Sequence, residues 1–218
     1  VRKKVLILVP LTWESVPRSF YKSVMGMALW NYERGSGHQL AIIDGQSTFI
    51  DLTRDHMMDI AHTQKTDYDY ILQLDADQVY PSATIEILVG HIDEEHPVVA
   101  GLTPSRQYGY PLVFNIEDKT PPQYKRIKNF DINQVGLVRV EGTGLGGVML
   151  HRSVLDKVPY PRFVMQYSDY IRRPVGDDVT FFSALKKADI PVYVDPQLRF
   201  EHIVVGVRRV EDWYEPSA

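Results

Sequence analysis

A short apolar run, Val5 to Val9, ends at Pro10 and gives way to a helical pattern, and this alternation recurs through the first half of the chain. It constrains the fold more than any other feature. A continuous apolar run of that length is how a strand buried on both faces reads, and such strands belong to parallel sheets. A helix is expected from Ser15, with Pro17 near its first turn and Phe20, Val24, Met27, Ala28 and Leu29 on its apolar face. It should stop before Gly35-Ser36-Gly37, and Gln39 to Ile43 reads as the second strand. A second helix begins at Asp51, Tyr70 to Leu74 forms a third strand, Pro81 opens a third helix, and Pro97 to Leu102 gives a fourth strand. Four strands alternating with three helices make a doubly wound α/β start.

The pattern loosens between Thr103 and Gln134, where Pro, Tyr, Lys and Asn suggest loops or a small hairpin beside the sheet. Strands return at Val135 to Val140 and Val148 to Leu150, separated by a glycine cluster, and a short helix is expected from Ser153. Gly176-Asp177-Asp178 caps a further helix carrying Phe181, Phe182, Leu185 and Ala188, and Pro191 to Val194 is the last clear strand. With no linker or repeat, 1–218 reads as one α/β domain whose halves, 1–102 and 103–218, share a core.

Composition removes several classes of function. Apolar residues at 44% and charged residues at 24% suit a folded globular chain. Twenty-four Lys and Arg against 28 Asp and Glu leave a net charge of −4, so no global positive field draws the chain to nucleic acid. With no cysteine there is no thiol nucleophile, disulfide or thiolate metal site. The apolar stretch Val5 to Leu11 falls far short of the ~18 residues of a membrane span, and the Lys-rich start lacks a signal peptide's core. The expected location is the cytoplasm.

The densest chemical signal is Asp75-Ala76-Asp77, directly after the third strand. Ligand sites of open α/β sheets lie at the carboxyl ends of strands, and two carboxylates on a turning backbone can address one cation directly and through water. Oxygen ligands favour Mg²⁺ or Mn²⁺, which in such enzymes clamp a diphosphate. The same acids also suit a plain helix N-cap. His202, following the last strand in Arg199-Phe200-Glu201-His202-Ile203, is the one histidine placed to add a softer ligand.

Several segments, taken in order, resemble the motif set of nucleotide-sugar-dependent glycosyltransferases of the GT-A fold, family-2-like members in particular. They are Asp51 to Asp55, Asp69 to Asp77, Gly142 to Leu150, Gly176 to Phe182, and His202. The resemblance spans nearly the whole chain. It implies a GT-A (Rossmann-like), mostly parallel sheet flanked by helices, with a small β-rich acceptor-side region. It also implies metal-dependent transfer of a sugar from a UDP- or GDP-linked donor to a carbohydrate or other hydroxyl acceptor.

Carried over residue by residue, the resemblance makes Asp77 a metal ligand, Asp75 a ribose or metal–water contact, and His202 the ligand completing the site for Mn²⁺ or Mg²⁺. Asp44 falls where the base is contacted and Arg54 where an arginine fixes the nucleotide, while Pro10, Leu11 and Thr12 form the first nucleotide loop beside Ala76. Gly142, Thr143 and Gly144 open room for donor or acceptor, although from the residues alone they read equally as a tight turn. Asp178 matches the general base of inverting members, with neighbouring Asp177 the other candidate. Trp13, Tyr108 and Tyr110 are available to stack on a ring.

Two positions depart from the pattern. The first strand ends Pro10 to Glu14 without the Asn-Glu many inverting members carry, and the second offers a single aspartate. Both leave the nucleotide's identity open. Asp75 to Val79 also fits the first motif of haloacid-dehalogenase-like phosphatases, with Asp75 as nucleophile and Asp77 as acid, Thr103, Lys157 and Asp177-Asp178 being cast as the rest. Against that, the motif normally ends a first strand. A non-catalytic nucleotide-sugar-binding protein, or a nucleotidyltransferase lacking its Gly-rich loop, are further alternatives.

Overall fold

The computed structural model describes residues 1–11, 15–46, 49–63, 67–169, 172–204 and 206–208. In chain order the first half forms β1 (Lys4–Leu11), α1 (Arg18–Glu33), β2 (Gln39–Gln46), α2 (Ile50–Thr63), β3 (Tyr70–Gln73), β4 (Gln78–Val79), α3 (Thr84–His91) and β5 (Val98–Leu102). The expected alternation is present. Pro17 precedes α1 directly, as its fixed φ allows at a helix start. Pro81 stands three residues ahead of the third helix, its carbonyl accepting from the Thr84 backbone and hydroxyl at 3.0 and 2.7 Å.

The second half contains β6 (Val113–Glu117), β7 (Gln123–Arg126), β8 (Val138–Val140), β9 (Gly142–Thr143), β10 (Val148–His151), α4 (Val154–Lys157), β11 (Gln166–Ser168), β12 (Arg173–Val175), α5 (Asp177–Lys187), β13 (Val192–Arg199), β14 (Glu201–Val204) and β15 (Gly206–Arg208). The hairpin expected in the irregular region is β6–β7, joined by β9 into a small separate sheet.

The central sheet has seven strands in the order β2-β1-β3-β10-β5-β13-β8. The neighbours β1–β2, β1–β3 and β5–β13 are parallel, whereas β10 is antiparallel to both β3 and β5, and β8 to β13. Five strands therefore point one way and two the other, giving a mixed sheet dominated by the parallel direction.

Alternation along each strand builds a core on both faces. Leu6 and Leu8 of β1 join Met57 and Met58 of α2 and Phe181 and Phe182 of α5 on one face. Val5, Ile7 and Val9 join Phe20 and Met27 of α1 and Ile85 and Leu88 of α3 on the other. Among the described residues, no helix is long and apolar enough to cross a membrane.

Candidate active site

The parallel strands β2, β1 and β3 end side by side, with Val9 opposite Asp44, Pro10 opposite Gly45, and Leu74 donating to the Leu8 carbonyl at 2.9 Å. Asp44 is exposed, Pro10 buried and Leu11 half-buried at this rim, while Thr12 and Trp13 lie outside the described residues. The chain then turns sharply. The Tyr80 hydroxyl accepts from the Asp75 amide at 2.8 Å and donates to the Asp75 carbonyl at 3.0 Å, closing the turn that carries Ala76 and Asp77.

The last strands reach this turn from far along the chain. β14 pairs antiparallel with β4, placing His202 opposite Gln78, and the Ile203 amide donates to the Asp77 carbonyl at 2.7 Å. As a result His202 Nε2 lies 3.2 Å from Asp77 Oδ2, across 125 residues of sequence. The ring is buried, and its Nδ1 donates to the Pro104 carbonyl at 3.0 Å. That bond places a proton on Nδ1 and turns Nε2 toward Asp77, so Nε2 is the nitrogen a metal would take on losing its proton. Burial by itself would lower the His202 pKa, but the Asp77 carboxylate outweighs it and the value is raised. Burial likewise works to raise Asp77, yet His202 and Arg106 hold its carboxyl below the usual range. Arg106 completes the cluster, with Nη2 on Asp77 Oδ2 and Nε 3.4 Å from His202 Nε2.

A second cluster is organised by Arg54, buried on α2. Its Nη2 donates to Asp75 Oδ1 at 2.6 Å and its Nη1 to Asp177 Oδ2 at the start of α5. Burial opposes its charge, but the two carboxylates outweigh that and raise its pKa, so the guanidinium stays charged. With both terminal nitrogens on carboxylates and a buried Nε lacking a partner, Arg54 ties β3, α2 and α5 together. Asp75 thus turns its carboxylate to Arg54, and of the three expected metal ligands the two in contact are Asp77 and His202.

Asp177 and Asp178 are divided by this arrangement. Asp177 is committed to Arg54, whereas Asp178 has no cationic partner among the described residues and accepts only the Val179 amide, at 2.8 Å. Burial first, and the neighbouring Asp177 charge second, push the Asp178 carboxyl up to about 6.

The glycine segment lies beside α5. Gly142 and Thr143 are buried in β9, and the Thr143 hydroxyl donates to the Leu112 carbonyl at 2.7 Å. The space next to Gly142 holds the Phe114 ring, and that next to Gly144 holds Leu112 and Thr103. Further on, Gly147 has φ +77° and faces Phe200, so both its backbone and its surroundings call for glycine. Tyr108 is exposed and stacks on Tyr110 with centroids 5.8 Å apart.

Among the described residues no three His, Asp or Glu side chains form a ready metal cage. A carboxylate and an imidazole whose outward nitrogen faces it nevertheless fit a six-coordinate cation that takes its other ligands from phosphate oxygens and water, which is how such ions are held beside nucleotides. The nitrogen donor favours Mn²⁺ over Mg²⁺.

No family model matches the sequence, and no curated protein matches it. Solved structures do. The chain is similar to A197 from STIV, with TM-score 0.64 and 20% identity over 99% of this chain and 96% of that one. It is also similar to the catalytic domain of Drosophila β1,4-galactosyltransferase 7 in complex with xylobiose, with TM-score 0.50 and 14% identity over 88% of this chain and 65% of that one. A mutant of that enzyme in complex with manganese, UDP-Gal and xylobiose gives TM-score 0.54 and 14% identity over 93% and 71%. The fold is that of the GT-A glycosyltransferases. At these identities the likeness is one of architecture, and the chemistry rests on the side chains described above.

One residue of the site, Arg106, escapes the sequence reading. It lies in Thr103-Pro104-Ser105-Arg106-Gln107-Tyr108-Gly109-Tyr110-Pro111, a stretch that signals a turn. Flanking prolines with an arginine at the tip are the only trace of its role.

Proposed function

We propose that this chain is a divalent-metal-dependent glycosyltransferase that moves a sugar from a UDP- or GDP-linked donor to a hydroxyl acceptor. The observation that carries the reading is His202 set against Asp77 at the carboxyl end of the parallel strands. Asp77 and His202 would hold Mn²⁺, which as a Lewis acid supplies charge neutralisation on the departing diphosphate. Asp44 and the β1 rim line the nucleotide side, with Asp75 held by Arg54 at the ribose. Asp178 takes the acceptor's proton as general base, and its raised pKa suits that task near neutral pH. Asp177 positions the start of α5 through Arg54.

The phosphatase alternative fits less well. Its nucleophile would be Asp75, whose carboxylate is ion-paired, and two strand–helix units precede the strand it follows. A non-catalytic binding protein has no need of a general base, the role that Asp178, without a cationic partner among the described residues, would fill.

Calorimetry with UDP and GDP, with and without Mn²⁺, tests the proposal. Metal-dependent binding of one nucleotide that disappears in Asp77→Ala is the expected result; binding that ignores both the metal and the substitution would refute it.

A further inference from the structure

Arg106 makes contacts that neither the fold nor the proposed reaction assigns. Its guanidinium touches the two atoms offered to a cation, Oδ2 of Asp77 and Nε2 of His202. Its side chain is 68% exposed among the described residues, so little packing holds it in this position. The segment beneath is tied down: the Ser105 amide donates to the Tyr110 carbonyl at 2.7 Å, the Gly109 amide donates to the Ser105 carbonyl at 2.9 Å, and Pro104 bridges to Pro111. Arg106 can leave by changing rotamers alone, without moving the backbone. The Pro104 carbonyl, two residues earlier, sets the His202 tautomer. One turn therefore orients the imidazole and delivers a positive group to its Nε2 side.

A metal ion bonded to the same two atoms needs the place the guanidinium takes, and two positive charges that close repel each other. We propose that Arg106 and the divalent cation compete for Asp77 and His202, and that the donor's diphosphate resolves the competition by drawing the guanidinium onto its oxygens. Resting on the transferase reading, this makes Arg106 a donor-binding residue and makes metal and nucleotide load together. A planar guanidinium can grip phosphate oxygens in a bidentate way that a lysine cannot. Because linkage is reciprocal, each ligand raises the other's affinity by the same factor.

The test is a Mn²⁺ titration followed by electron paramagnetic resonance of the free ion, on the full chain, with and without UDP and GDP. Arg106→Gln, which keeps a polar side chain without the charge or the reach of the guanidinium, is compared with Arg106→Lys and Asp77→Ala. Without nucleotide, Arg106→Gln should bind Mn²⁺ about tenfold more tightly than the parent, an effect of ordinary allosteric size. The gain in Mn²⁺ affinity on adding nucleotide should shrink in Arg106→Gln and be only partly restored by lysine. Unchanged or weaker Mn²⁺ binding by Arg106→Gln, with Asp77-dependent binding intact in the parent, would overturn the competition and leave the metal site standing. Mn²⁺ binding that is absent from the parent, or indifferent to Asp77→Ala, would overturn both.

Discussion

Two adjacent carboxylates at the start of α5 meet opposite fates, and the difference comes from Arg54. Asp177 gives its charge to the guanidinium, while Asp178 sits beside Asp177 with no cation of its own among the described residues, its carboxyl raised to about 6. A base must be deprotonated to act, so kcat/KM should fall as pH drops through about 6, some two units above where an ordinary aspartate would titrate. Asp178→Asn should abolish transfer while calorimetry finds the donor still bound; lost donor binding would make Asp178 a donor ligand instead. Stability carries the opposite sign. A raised folded-state pKa means that the contribution of neutral Asp178 is present below the ordinary carboxylate range and lost as pH rises through about 6. Asp178→Asn should therefore be about 1–2 kcal/mol more stable than the parent at pH 8 and indistinguishable near pH 4, as read by urea denaturation. Arg54→Met should act strongly in the other direction. It leaves Asp75 and Asp177 without their partner, and a loss of about 3–5 kcal/mol is expected, as for other broken buried pairs.

Elements explain why these side chains meet and why some meetings were invisible in the sequence. The runs Val5 to Val9, Tyr70 to Leu74 and Pro97 to Leu102 announce their strands because burial on both faces favours apolar side chains, with Gln73 the one buried amide among them. Asp75-Ala76-Asp77 announces its site because it ends such a strand. The Arg54–Asp177 pair spans 123 residues, and no local pattern predicts a contact at that separation. Arg106 was hidden for a different reason: it belongs to a turn, where composition reports the bend and not what the tip touches. The short β14 carries His202, and its position depends on Phe200. That ring packs edge-on to Tyr80 with centroids 4.9 Å apart and against Gly101 and Gly147. Phe200→Ala should cost about 3–5 kcal/mol in urea denaturation. By loosening the β14 hold on Asp77 it should also weaken Mn²⁺ binding; metal affinity that survives would mean that β4–β14 pairing alone sets the site.

At the scale of the whole molecule, the sheet order is what the sequence conceals most. The apolar run of β10 looks like any buried strand, yet it enters antiparallel between β3 and β5. Direction and neighbour are decided by how the chain crosses the sheet, which periodicity does not encode. The outcome is a layout in which the carboxyl ends of β2, β1 and β3 form one edge, α5 starts with Asp178, and the chain returns through β14 to Asp77. The proposed chemistry requires Asp77 and His202 to share one ion. The most direct measurement is anomalous diffraction from crystals soaked with Mn²⁺ and UDP. A single manganese peak about 2.0–2.3 Å from Asp77 Oδ2 and His202 Nε2, bridged to the diphosphate, is predicted. Nucleotide bound with no manganese between those two side chains would contradict it.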